Sequence, residues 1–183
     1  MTKQVLFVQG GSEGAYTADL KLAASLREKL GPGFNVRYPM MPDEDDPAYR
    51  VWKQRILEEL AAMGDGAILV GHSIGGSVLI KLLTEENLRQ SVRAAFLVSA
   101  PFWYDHDFWR WDEVRLPKDA SSRLPKDTPV YLYHGRADQS VPFAHAEMYA
   151  KALPQVILRP LDGRDHQLND DLSEVANEIR QLR

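Results

Sequence analysis

A serine stands with glycines two residues before and two after it, in Gly71-His72-Ser73-Ile74-Gly75-Gly76. The apolar run Ala67-Ile68-Leu69-Val70 leads into it, and a helical pattern from Gly75 to Leu83 follows. That order describes a sharp strand-to-helix turn. The turn lifts a hydroxyl clear of a sheet, and larger side chains at the glycine positions would collide. The N–H dipoles of the helix that follows point at the place where negative charge would develop. Such a serine can attack an acyl carbon, but a hydroxyl is a weak nucleophile until a base takes its proton.

Five histidines are available as that base: His72, His106, His134, His145 and His166. His72 lies inside the turn itself, His134 ends a strand, and His145 lies within a helical pattern. His106 comes too early for the chain order serine, acid, histidine. His166 follows the last strand pattern, in Leu161-Asp162-Gly163-Arg164-Asp165-His166, and is the expected base. The acid that orients it should follow the strand before. There Gly135-Arg136-Ala137-Asp138 supplies Asp138, which would accept the imidazole N–H and fix the tautomer. Asp165 and Asp162 are rivals, Asp165 weakened by being the neighbour of the residue it would orient. Two backbone N–H groups should hold the oxyanion: that of Ile74, directly after the serine, and that of Gly11 in the glycine-rich loop after the first strand.

These residues need a scaffold, and the apolar pattern describes one. Continuous apolar runs at Val5–Val8, Ala67–Val70, Ala94–Val98 and Val130–Tyr133 read as strands buried on both faces. Asn35–Tyr38 and Val156–Arg159 read as two more. Helical spacing appears between them, at Tyr16, Leu20, Ala23, Leu26 and Leu30, and at Tyr49, Trp52, Ile56, Leu60 and Met63. Asp46-Pro47 reads as the N-cap and first residue of the second of these helices. Helices are also expected over Pro142–Leu153 and Asp170–Leu182. Alternating strands and helices predict an α/β chain: a three-layer α/β/α sandwich around a mostly parallel sheet, with residues 1–183 forming one domain. Ligands of such sheets sit beyond the carboxyl ends of the strands, where Ser73, Asp138 and His166 fall.

Composition narrows the classes. The 183 residues carry no cysteine, which excludes disulfides, thiolate zinc sites and a cysteine nucleophile. The net charge of −4 comes without a basic block and gives nucleic-acid binding no electrostatic support. The first apolar run is too short for a signal peptide, and none approaches the roughly 20 residues of a membrane span. A cytoplasmic protein, monomeric or homodimeric, with no metal and no cofactor is expected. The aromatic segment Phe102–Trp111 follows the fourth strand. Its first members, Phe102 and Trp103, are candidates for an apolar substrate wall, with core packing or a dimer face as alternatives. Met40 and Met41 read as core. The acidic run Asp43–Asp46 reads as a solvated loop.

Together these motifs resemble the α/β-hydrolase superfamily. The likeness rests on the Ser73 turn, Gly135-Arg136-Ala137-Asp138 with Val141-Pro142, and the late Asp165-His166. Met41-Pro42-Asp43 and Leu97-Val98-Ser99-Ala100 are similar to the small cap-less serine hydrolases of the retinoblastoma-binding protein nine and YdeN-type esterase family. The resemblance spans nearly the whole chain. It implies a six-stranded sheet of order 2-1-3-4-5-6, carboxylesterase-type cleavage of small acyl esters, and the triad Ser73, Asp138 and His166. Many of these hydrolases carry His-Gly after the first strand, where this chain has Gln9-Gly10. A binding module on the same scaffold, or an acyltransferase or thioesterase with the same triad, are the competing readings.

Overall fold

The computed structural model describes residues 2–85 and 88–182. Its strands are β1 (Lys3–Val8), β2 (Phe34–Arg37), β3 (Ala67–His72), β4 (Val92–Val98), β5 (Val130–Gly135) and β6 (Ile157–Leu161). The helices are α1 (Ala15–Ala18), α2 (Leu20–Leu30), α3 (Tyr49–Met63), α4 (Ile74–Glu85), α5 (Ala120–Arg123), α6 (Ala144–Ala152) and α7 (Ser173–Gln181). The six strands form one sheet in the order β2-β1-β3-β4-β5-β6. All neighbouring pairs are parallel, so every connection is a crossover.

Parallel strands covered on both faces are apolar along most of their length, as β3 is up to Gly71 and β4 is apart from Arg93. Leu6, Leu69, Leu97 and Leu132 pack on one side against Trp52, Ile56 and Leu60 of α3, Val78 and Leu82 of α4, and Tyr149 of α6. Phe7, Val70, Phe96 and Tyr133 pack on the other side against Leu22 and Leu26 of α2 and Val175 and Ile179 of α7. These are the three layers expected from the sequence. No helix among the described residues is long and apolar enough to cross a membrane.

Two local expectations change. The helix expected from Tyr16 to Leu30 is split into α1 and α2 at Asp19. Asp19, not Leu20, takes the core position on the stripe with Ala23 and Leu26: it is 1% exposed, and Leu20 is 42% exposed. Asp46 does not cap α3. Its N–H closes a turn onto the Asp43 carbonyl, and the helix starts after Ala48 with no side-chain cap of its own. Glu113, distant in sequence, accepts the Tyr49 N–H instead, so a tertiary contact satisfies a helix-end donor. Met41 is in the core, but Met40 is exposed to solvent.

Candidate active site

Ser73 sits between β3 and α4 with φ +49°, in the left-handed region that L side chains avoid. Close packing sets this turn. A Cβ on Gly75 would lie 2.6 Å from the Val8 carbonyl oxygen and closer still to that of Gln9. Backbone cannot retreat as a side chain can. Gly75→Ala is therefore expected to cost about 1–3 kcal/mol, read as a lower urea midpoint, and an unchanged midpoint would show that the turn can open.

His166 lies in the loop after β6. Its Nε2 is 3.1 Å from Ser73 Oγ, and its Nδ1 is 2.8 Å from Asp138 Oδ2. Residues 93 and 28 positions apart thus meet in one line of hydrogen bonds. Asp138 is 7% exposed. Its Oδ1 accepts the N–H groups of Ser140 and Val141 at 2.9 and 2.8 Å. Burial would raise this carboxyl. Hydrogen bonds from His134, His166 and the Val141 N–H, together with the His166 charge, outweigh burial and hold it well below the usual carboxylate range. The turn that carries Asp138 is pressed against the His166 loop: Ala137 N–H bonds the Arg164 carbonyl, and a Cβ on Gly135 would strike that same carbonyl. The rival acids lie elsewhere. Asp162 is exposed and pairs with Arg136, and exposed Asp165 binds the Asn169 N–H.

Gly11 lies against the same turn, since a Cβ there would be 2.8 Å from Ile74 Cδ1. The backbone N–H groups of Gly11 and Ile74 have no hydrogen-bond acceptor among the described residues. Ile74 follows the serine directly and Gly11 packs on Ile74, so both N–H groups belong to the two loops that meet at Ser73. The Gly11 loop is shaped by Gln9 and Glu44. Buried Gln9 donates to Glu44 Oε2 and accepts the Met41 N–H. Glu44 in turn accepts the N–H groups of Gly14, Tyr16 and, through its carbonyl, Ser12. Part of the acidic run is therefore a clamp on this loop rather than a solvated segment.

A cleft of about 510 Å³ opens beside His166, lined by Ala137, Gln139, Ser140, Asp165, His166 and Gln167. Phe102 and Trp103 do not line it. Phe102 packs edge-on against Tyr149, and Trp103 meets Trp109 and Trp111. Both are half-buried and packed against the core on that side of the sheet.

Sequence reasoning passed over three site residues. His134 Nε2 lies 2.8 Å from the Val141 carbonyl and 3.3 Å from Asp138 Oδ2, which makes it a second imidazole on the acid. Asp19 and His72 form a buried pair behind the serine, at 2.9 Å. A charged residue on an apolar helical stripe was the available signal for Asp19. His72 and His134 read as poor candidates for the base, and nothing local marks their contacts with Asp19 and Asp138.

The serine hydrolase family model matches residues 26–166 of the chain. No curated protein matches it in sequence. Among solved structures it is similar to the ydeN gene product of B. subtilis, with 20% identity and a TM-score of 0.80 over 99% of this chain and 98% of that one. It is also similar to a serine hydrolase of the polyaromatic-hydrocarbon-degrading bacterium Cycloclasticus zankles, with 14% identity and a TM-score of 0.75 over 100% and 89% of the two chains. The esterase domain of a Rhodothermus marinus protein matches at 20% identity and a TM-score of 0.68, over 97% and 84%.

Proposed function

The chain belongs to the serine hydrolase family and has the α/β-hydrolase fold without a large cap, and from that premise we propose that it cleaves small acyl esters through an acyl-enzyme on Ser73. The observation that carries this reading is the continuous line Ser73 Oγ, His166, Asp138 at 3.1 and 2.8 Å. In it, Ser73 Oγ attacks the ester carbonyl carbon as His166 Nε2 takes the hydroxyl proton. Asp138 holds the imidazole with its proton on Nδ1 and balances the imidazolium. The carbonyl oxygen becomes an anion received by the N–H groups of Gly11 and Ile74. The tetrahedral intermediate collapses, the C–O bond to the alcohol breaks, and His166 gives that alcohol its proton. Water, deprotonated by His166, then attacks the acyl-serine, the C–Oγ bond breaks as His166 returns the proton to Ser73 Oγ, and the acid is released.

Ester over amide is favoured by what the similar proteins are called, since one is an esterase domain. Short substrates are favoured by the absence of a large cap over the strand ends that carry Ser73, Asp138 and His166. In this reading the half-exposed faces of Phe102 and Trp103, on the segment that leaves β4 at the same sheet edge, contact the acyl chain.

The test is a chain-length series of p-nitrophenyl esters, run beside matched thioester and amide substrates. The expected result is turnover highest on esters of short acyl chains and falling as the chain lengthens. A preference for thioesters or amides would replace the esterase reading with another acyl-transfer chemistry. No turnover, and no labelling by a fluorophosphonate, would point to a binding module on the same scaffold.

A further inference from the structure

Behind the triad, Asp19 and His72 are buried to within 1% exposure. His72 Nδ1 lies 2.9 Å from Asp19 Oδ2, and its Nε2 lies 3.0 Å from the backbone carbonyl oxygen of His166. Both partners accept. An imidazole facing two acceptors needs a proton on each nitrogen, which is the cationic form. The Asp19 oxygens also accept, Oδ2 from the Gly10 N–H at 2.8 Å and Oδ1 from the Gln167 amide at 3.1 Å. Those donors hold a carboxylate rather than a carboxylic acid.

One buried carboxylate therefore touches three segments. Gly10 precedes Gly11, His72 precedes Ser73, and Gln167 follows His166. These are the loops that carry the oxyanion donor, the nucleophile and the base in the reading above, on which this inference rests. We propose that Asp19 and His72 are positioning residues, a carboxylate–imidazolium pair that locks those three loops in register.

The surroundings agree with a charged pair. Burial alone would lower His72, but the charge and hydrogen bond of Asp19, the His166 carbonyl and the charge of Asp138 together raise it above its ordinary value. Burial likewise opposes ionisation of Asp19, and the His72 charge with the hydrogen bonds of His72, Gly10 and Gln167 lowers it all the same. The His166 ring also lies against His72, tilted at 4.9 Å between centroids, and Tyr38 faces the pair from the side of Asp19.

Asp19→Asn separates this role from simple packing. The amide oxygen of the variant can still accept from Gly10, but the cation loses its counter-charge. With that orientation a neutral His72 has one proton for two acceptors and loses one of them; with the amide turned round, its NH₂ can donate to His72 Nδ1, but the Gly10 N–H then loses its acceptor, so one of the three loops is released either way. His72→Gln fails similarly, because its single amide group cannot reach both partners. A displacement of about 1 Å at the base costs on the order of 100-fold in rate. The expected result for both variants is a kcat lower by about 10–100-fold with KM within about threefold.

The independent readout is NMR of the isotope-labelled wild type. His72 is expected to show two imidazole N–H protons at about pH 7, above the ordinary histidine value of roughly 6.5. A single N–H at pH 7, or variants with kcat within about twofold of wild type, overturns the proposal. Should the variants fail to fold, the N–H count alone decides. If the wild type hydrolyses no ester, the esterase reading fails separately, and the N–H count still tests the pair.

Discussion

Ser73→Ala will lower kcat/KM toward a short p-nitrophenyl ester by at least about a thousandfold, while the protein stays folded. The loss follows from the chemistry. Without Oγ no group forms the acyl-enzyme, and the residual rate comes from oxyanion donors acting on water. Folding survives because the one side-chain hydrogen bond that Ser73 makes among the described residues goes to His166 Nε2. Alanine keeps the Cβ, so the backbone at φ +49° is no more strained than before. Ser73→Gly extends the test. The left-handed region costs an L-residue about 1–2 kcal/mol and glycine nearly nothing. The glycine variant should be as inactive as the alanine variant and melt at a higher temperature. Steady-state rates and melting curves on the three proteins decide this. A rate loss below about tenfold would remove Ser73 from the role of nucleophile.

Asp138→Asn is expected to lower kcat by about three to four orders of magnitude with little change in KM. The direction of the substituted amide makes the effect large. Oδ1 is fixed by the N–H groups of Ser140 and Val141, so the amide oxygen takes that side. Its NH₂ then faces His166 Nδ1, where Oδ2 stood at 2.8 Å. An NH₂ donor there requires a lone pair on Nδ1 and moves the proton to Nε2. His166 would then present an N–H to Ser73 and could not take its proton. The same NH₂ also faces the Nε2–H of His134, so the second imidazole pushes against the amide rather than holding it. Kinetics at a pH where the wild type is fully active, with the His166 tautomer read by NMR, checks both halves. A variant within about tenfold of wild type would mean that Asp138 does not set the tautomer.

Much of the architecture was legible in the sequence because burial on both faces leaves a plain signature. Ala67–Val70 and Ala94–Val98 can be read as strands without any contact map, since only apolar residues survive in that setting. The positions of Ser73, Asp138 and His166 follow from the same alternation, because each lies just past the end of a parallel strand. Sequence spacing alone was nevertheless ambiguous. Gly10-Gly11-Ser12-Glu13-Gly14 has the same glycine–serine spacing after a strand. Its serine is exposed, and its N–H is bound to the Glu44 carbonyl.

The sequence by itself determined the layered α/β order, the strained turn at Ser73 and the strand ends from which an acid and a base could come. Those features depend on residue type and local spacing. The tertiary structure decided the rest: that His166 and not another histidine lies 3.1 Å from Ser73, that Glu113 caps α3 in place of Asp46, that Glu44 clamps the Gly11 loop, and that Asp19 interrupts a helix to reach His72. Each is a polar contact between segments far apart in the chain. Hydrogen bonds act over about 3 Å and depend on direction, and no local pattern of hydrophobicity carries that information.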